Sequence, residues 1–416
     1  MGLTSEQVQI IRSSAPILQE HGNTITTSFY STMLKEVSEL KNVFNQANQV
    51  NGHQPAALAA SLHAYATNID NLGALSPAVE KICQKHASLY IQPKQYEVVG
   101  EYLLRAMGEV LGSALTPEVL DAWTAAYWQL ADLMIDREEQ LVQDADGWTD
   151  WRKFRIADKF KESEVITSFY LEPVDKKPLP SFMPGQYISV QTYVPRLGYK
   201  QSRQYSLSDA PHADWYRISV KKEEDLDLEH PEIHKHPGLI SNILHDERQM
   251  GDIIEVSHPA GEFFLDTEGD LGCPIVLLSA GVGITPMMSM LDTLVANGTD
   301  QPITLVHGAH SFAQRAFSSQ LQTITHSHPH VRYVSFIKNP DVHDSAKDHH
   351  YDYTGREDVK KLDRAKDLFL DNDTTRYFVC GPNSFMDDVW HSLTEMGVGK
   401  ERIKMELFGA GMPTTN

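Results

Sequence analysis

Cysteine is scarce in this sequence. Only Cys83, Cys273 and Cys380 occur in 416 residues, widely scattered and with no CxxC pair. That excludes a disulfide framework and a thiolate zinc site, and it fits a reducing, cytoplasmic setting. Long apolar runs are missing too: none reaches eighteen residues, so no transmembrane helix is expected. The start, MGLTSEQ, has neither the basic stretch nor the apolar core of a signal peptide. Glu6 stands where a myristoylation pattern needs Ser or Thr. Positive charge is in deficit: 36 Lys and Arg face 56 Asp and Glu, a net charge of −20. An acidic surface argues against nucleic acid and anionic membranes as partners, and leaves small molecules and proteins.

What is present is ordinary globular material, 41 % hydrophobic and 22 % charged. The length predicts two to three domains, at ~150 residues each. There is no internal repeat. Residues 4–142 carry helical signals throughout. Thr4 and Gln7 form a capping box. Ser76-Pro77 and Thr116-Pro117 place an N-cap before a first-turn proline. Leu58, Leu62, Tyr65, Ile69 and Leu72 recur at helical spacing. Six or seven helices in an all-α domain are expected.

After DADGW (144–148) the pattern changes. EVITSFYLEP (164–173), GQYISVQTY (185–193), RQYSLSDA (203–210), WYRISVKKE (215–223) and GDIIEVSHPAG (251–261) read as short strands between turns, which predicts an antiparallel barrel. From Cys273 on, the apolar strands PIVLLSAG (274–281), ITLVHGA (303–309), VRYVSFI (331–337), RYFVCGP (376–382) and IKMELFG (403–409) alternate with helices. That predicts a doubly wound parallel α/β sheet. The histidine- and acid-rich stretch 339–352 reads as a solvated loop, with metal binding as the alternative. The expected segments are 1–147, 152–268 and 269–416.

Several motifs carry chemistry. GVGITP (281–286) lies between a buried strand and a helix, where glycines let backbone amides approach a pyrophosphate; the plain alternative is a strand-to-helix corner. RQYS (203–206) offers an arginine for a phosphate and a tyrosine for an aromatic ring, or is an edge-strand surface. GLIS (238–241) is a second phosphate cradle or a simple cap. CGP (380–382) ends a strand on the presumed ligand edge. In the helical part, Val79, Ile82 and His86 recur at i, i+3 and i+7, while Lys81, Gln84, Lys85 and Ser88 fall largely elsewhere. His86 is therefore either a core histidine hydrogen-bonded to a neighbour or a metal ligand.

In this order RxYS, GxxS, GxGxxP and CGP resemble the ferredoxin–NADP reductase family. SFYSTML (28–34), LKNVFN (40–45), NGHQPAALAASLHAYATNIDNL (51–72) and EKICQKHASLYIQPKQYEVVGEYLL (80–104) resemble a globin. Together they resemble the flavohaemoglobins over essentially the whole chain. The resemblance implies haem b, FAD and NADH or NADPH as cofactors, and a nitric oxide dioxygenase acting on NO and O₂. Rival readings are a haem-containing reductase of flavins, quinones or ferric compounds, and an O₂ or redox sensor. It also implies the residue roles. His86 would bind iron through Nε2, with Tyr96 and Glu138 holding its other nitrogen. Tyr30 and Gln54 would face the bound gas, with Leu58 and Phe44 as apolar walls. Lys85 would pair with a haem propionate or stay solvated. Tyr187, Arg203, Tyr205 and Ser206 would contact FAD, and Gly238 and Ser241 its pyrophosphate. Gly281, Gly283, Thr285, Cys380, Gly381 and Pro382 would serve the nicotinamide dinucleotide, and Glu406 and Phe408 would sit beside the flavin ring.

Phase on the helix leaves His53 at the surface, 100° from Gln54, and His63 gets the same reading. The small residues Ala57, Ala60 and Ser61 would leave room for a lipid in the distal pocket. One departure from the family pattern stands out. Arg315 in QRAF occupies a position where the family commonly has histidine. It either meets a 2′-phosphate or is exposed, so the choice between NADH and NADPH stays open. A monomer is expected.

Overall fold

The computed structural model describes residues 2–45, 49, 52–223, 238–340 and 351–408. The chain forms two compact units. The first comprises Met1–Trp151, Ser189–Arg203 and Val256–Glu262; the second comprises Arg152–Ile188, Gln204–Glu255 and Phe263–Asn416.

The helical part contains α1 (Ser5–Glu36), α2 (His53–Thr67), α3 (Ser76–Ala87), α4 (Pro93–Leu111) and α5 (Pro117–Asp144). Between these helices lie a helical Gln49 and short 3₁₀ turns at Ser38–Asn42, Leu72–Leu75 and Gly112–Ala114. Helix α1 runs on through Pro16 for 32 residues. The Thr4–Gln7 capping box forms, with bonds of 2.9 and 3.2 Å. Thr116 caps α5. Ser76 does not cap α3: its N–H is taken by Gly73 O of the preceding turn, so that turn feeds straight into the helix. The helices close on Phe29, Tyr65, Leu103, Met107 and Trp123, and on a smaller cluster with Cys83, Tyr96 and Met134. At ~25 cal/mol per Å² of apolar surface, such burial is what holds marginal helices in place.

Helix α3 is buried on more of its girth than its apolar spacing suggests. Gln84 and Ser88, expected off the packed face, are buried. Gln84 accepts from Gly261 N at 2.9 Å, and Ser88 accepts from Ser189 Oγ at 3.0 Å. Both partners belong to the strand segments that cluster with the helices. Polar groups on two neighbouring surfaces satisfy each other there, which hydrophobic periodicity does not register.

Six strands make a sheet in the order β4-β3-β6-β1-β2-β5: β1 (Arg152–Lys161), β2 (Ile166–Pro173), β3 (Tyr187–Val194), β4 (Tyr199–Ser206), β5 (Tyr216–Lys221) and β6 (Ile253–Val256). β1–β2 and β2–β5 pair antiparallel. Strand β1 was not anticipated, because only Phe154 and Ile156 of its ten residues are buried among charges. β4 begins four residues before the expected start at Arg203, since the Leu197–Gly198 turn folds it back on β3; Gly198 has φ +77°. β6 stops at Val256, well short of Pro259 and Gly261.

The second sheet is parallel, in the order β10-β9-β8-β7-β11-β12: β7 (Ile275–Ala280), β8 (Ile303–Ala309), β9 (Val331–Ile337), β10 (Tyr353–Thr354), β11 (Arg376–Cys380) and β12 (Ile403–Glu406). Helices α7 (Ile284–Ala296), α8 (Ser318–Ser327) and α9 (Asn383–Glu395) alternate with it. Strand order reverses between β7 and β11, so their C-terminal ends form the switch point where α/β sheets bind ligands. Of the loop 339–352, residues 341–350 lie outside the described residues.

Candidate functional site

His86 sits in the last turn of α3, with its ring about a third exposed. Its Nδ1 lies 2.9 Å from Tyr96 Oη and 2.9 Å from Glu138 Oε1. Tyr96 donates its own proton to Glu138 at 2.6 Å. Burial, reinforced by the Glu138 charge, holds the Tyr96 phenol far above its ordinary range. Both neighbours of Nδ1 therefore accept, which puts the imidazole proton on Nδ1 and leaves Nε2 as a bare lone pair. Among the described residues no hydrogen bond engages Nε2. An imidazole braced by a carboxylate is the donor set of a metal-ligating histidine, so the residues fit haem iron.

Tyr30 is buried on α1, and burial raises its phenol, with a hydrogen bond from Gln54 working against that rise. Gln54 Oε1 accepts from Gln49 Nε2 at 2.9 Å. That leaves the Gln54 amide nitrogen to donate to the Tyr30 oxygen, a bond that does not use the Tyr30 proton. Gln49 is a partner that sequence reasoning missed; nothing in its spacing announced it. The Phe44 ring meets Tyr30 edge-on, with centroids 5.5 Å apart and planes at 76°. Leu58 packs against the same cluster. His53 is exposed and His63 half-buried. Lys85 is half-buried on α3. Ala60 and Ser61 lie on the exposed side of α2, and Ser61 bonds back to Ala57 O at 2.9 Å.

At the switch point the glycines are needed for their lack of a side chain. A Cβ on Gly283 would fall 2.1 Å from Cys380 O, so the GVG turn lies directly on the end of β11. One on Gly381 would meet Phe385 at 2.6 Å and Ala280 at 3.2 Å. Gly281 has φ +58°. Behind this turn, α7 opens at Ile284 with Thr285 buried, its hydroxyl donating to Val282 O at 3.0 Å. Thr285 thus ties the turn together. Cys380 is buried and pairs in register with Glu406; burial, then the Glu406 charge, pushes its thiol well up and keeps it protonated. Pro382 caps α9. The cradle, with amides at the start of α7, fits a dinucleotide phosphate.

Strand β4 carries Arg203 and Tyr205, half-buried and two residues apart, so on one face, with Ser206 buried at its end. Tyr187 opens β3 and is half-buried. Gly238 admits no side chain, since a Cβ would come within 2.3 Å of Ser241 Oγ. Ser241 donates to Gly238 O at 3.1 Å and accepts from Glu223 N at 3.4 Å. Phe408 is 43 % exposed. Arg315 is not simply exposed: it donates to Ser318 Oγ (3.1 Å) and Ser335 Oγ (2.9 Å), and its guanidinium covers Phe312 at 4.6 Å. It lines a cavity of about 470 Å³ with Arg332, Tyr333, Ser335 and Asp352.

Comparison with known proteins accords with these features. Residues 27–134 match the globin family model, and residues 277–391 match that of the oxidoreductase NAD-binding domain. The flavohemoprotein of Bordetella parapertussis is 42 % identical over 98 % of this chain and 99 % of its own. That of Deinococcus radiodurans is 44 % identical over 98 % and 97 %. Among solved structures, the flavohemoglobin of Malassezia yamatoensis with bound FAD and heme superposes with a TM-score of 0.84 at 28 % identity, covering 98 % of this chain and all of that one. The FAD/NAD-binding domain of nitric oxide dioxygenase from Vibrio cholerae matches 62 % of this chain and 99 % of its own, with a TM-score of 0.54 at 31 % identity.

Proposed function

This chain belongs to the flavohaemoprotein family, and on that premise we propose that it is a nitric oxide dioxygenase, turning NO and O₂ into nitrate with electrons from NADH or NADPH. Haem b, when bound, supplies an oxygen-binding iron, and FAD converts a two-electron hydride into single electrons. The rest is the work of this chain's own side chains. His86 would hold iron through Nε2, with Glu138 keeping the Nδ1 proton in place and the imidazole electron-rich. Tyr30, oriented by Gln54, would donate a hydrogen bond to the bound gas. Phe44 and Leu58 keep water from that side. Arg203 and Tyr205, with Tyr187 and Ser206, bind the flavin, and the Gly281–Gly283 turn with Gly381 binds the dinucleotide phosphates. Glu406 and Phe408 lie at the flavin ring, and Lys85 meets a propionate.

The observation that carries this reading is the braced His86 on a chain that also folds a dinucleotide-binding sheet. We assign the work to three segments, 1–147, 152–268 and 269–416, and read the protein as a cytoplasmic monomer; no described helix is long and apolar enough to cross a membrane. Arg315 and Arg332, sharing one cavity with Ser335, suit a 2′-phosphate, and the ratio of KM values for NADPH and NADH tests this. Nitrate yield decides the activity. Nitrate forms from one NO, one O₂ and one electron, so electron balance requires two nitrates per nicotinamide oxidised. NAD(P)H consumption that does not rise with NO, or yields no nitrate, would instead indicate a reductase of other acceptors.

A further inference from the structure

The 3₁₀ turn Ser38–Asn42 leads through Val43 into Phe44, and two carbonyls of this stretch, Lys41 O and Phe44 O, are met by a single side chain. Gln201 of β4 is fully buried, and its Nε2 lies 2.8 Å from Lys41 O and 3.1 Å from Phe44 O, with Lys200 O at 3.2 Å. One residue earlier on the strand, Lys200 N donates to Asn42 Oδ1 at 2.9 Å, and Asn42 Nδ2 returns to Glu39 O at 2.8 Å. All of these residues belong to the first compact unit. The turn is therefore fixed from outside the helices, by a strand.

We propose that Gln201 is a positioning residue for the distal pocket: by holding the Phe44 backbone it sets the ring that packs on Tyr30, and so sets how tightly oxygen is kept. Part-buried carbonyls stripped of their shared donor lose the bonds that fix the turn, which then shifts toward other partners. The Phe44 ring moves with it. Tyr30, which meets that ring edge-on and is oriented by Gln54, then loses one of the walls that hold its hydroxyl on target. Gln201 shares its strand face with Arg203 and Tyr205 at i+2 and i+4, so the strand read as flavin-binding also reaches the gas-binding site.

The inference rests on Tyr30 being the ligand-facing donor, and the test separates the two. Stopped-flow release of O₂ is measured on the full-length ferrous protein for wild type, Gln201→Met, Tyr30→Phe and the double variant. Met keeps the length and volume of Gln and removes its donors. Gln201→Met should speed release by about 3- to 10-fold, the range seen when a coupled neighbour and not the contact itself is altered. In the Tyr30→Phe background the same change should add almost nothing, because the effect runs through Tyr30. Should Met prevent haem uptake, Gln201→Asn keeps a donor one methylene short and should give roughly a 2- to 5-fold change. Release at the wild-type rate in the Gln201 variants, with Tyr30→Phe accelerated, overturns the proposal. So does a Gln201 effect that survives undiminished in the double variant. No effect from Tyr30→Phe itself removes both the donor reading and the proposal.

Discussion

At His86 the neighbours choose the tautomer. Tyr96 donates its hydrogen bond to Glu138, so both oxygens near Nδ1 accept, and Nε2 is left as the donor to a metal. His86→Ala should abolish haem uptake or displace the Soret band, while His53→Ala, at an exposed position, should do neither; the reverse pattern in absorption spectra would reject the assignment. Tyr30 is the proposed donor on the gas-binding side. A phenol held protonated by burial donates a charge-assisted bond to an oxygen that carries partial negative charge, worth ~1.5–3 kcal/mol. Tyr30→Phe keeps the ring against Phe44 and removes only that proton. O₂ release should then quicken by ~10- to 150-fold, with NAD(P)H-driven reduction of an artificial acceptor unchanged. Equal release rates would leave Gln54 as the only distal donor. Both roles were legible in the sequence only through resemblance. Helical phase aimed His86 inward, yet Tyr96 and Glu138 lie ten and fifty-two residues away, and no spacing rule connects them.

Elements were more legible than their polar ties. Strands β7, β8, β9, β11 and β12 appeared where apolar runs predicted them, because a sheet covered on both faces leaves little ambiguity, whereas the two-residue edge strand β10 (Tyr353–Thr354) was not expected. β1 went unseen because ten residues bury only two side chains on one strand and expose the charges between. Glycines, by contrast, disclose geometry when their neighbours are known. At Gly283 the turn and the end of β11 are in van der Waals contact through a carbonyl, 2.1 Å from where a Cβ would stand. Gly283→Ala forces backbone from backbone, which costs about 1–3 kcal/mol. The thermal midpoint should fall, and KM for the nicotinamide should rise about tenfold with FAD content unchanged. Gly281→Ala meets open space and strains only its own φ of +58°, about 1–2 kcal/mol, so it should harm the pyrophosphate turn less. If both variants bind NADH as the wild type does, the cradle has been put in the wrong place.

The covalent order of the whole molecule, helices and then two sheets, was readable in its sequence, but its compact units do not follow that order. Segments Ser189–Arg203 and Val256–Glu262, on the barrel by sequence, cluster with the helices. The reason is a set of polar ties: Ser189 Oγ to Ser88 Oγ at 3.0 Å, Lys200 N to Asn42 Oδ1 at 2.9 Å, His258 N to Tyr90 Oη at 3.0 Å and Gly261 N to Gln84 Oε1 at 2.9 Å. Hydrophobic patterning is blind to such bonds, since each partner is an unremarkable Ser, Asn, Tyr or Gln in its own segment. They set a definite expectation for residues 152–416 expressed alone. All the proposed flavin and nicotinamide contacts lie after residue 180, so the fragment should take up FAD and oxidise NAD(P)H with an artificial acceptor. Its amides in 189–203 and 256–262 should nonetheless exchange with solvent deuterium faster than in the full chain, while those of β7, β8 and β11 keep their protection, because local opening follows the loss of buried partners. Uniform protection would show that the ties to the helices add nothing to the strands they hold. A folded fragment without FAD would show that the flavin needs the helical residues in place.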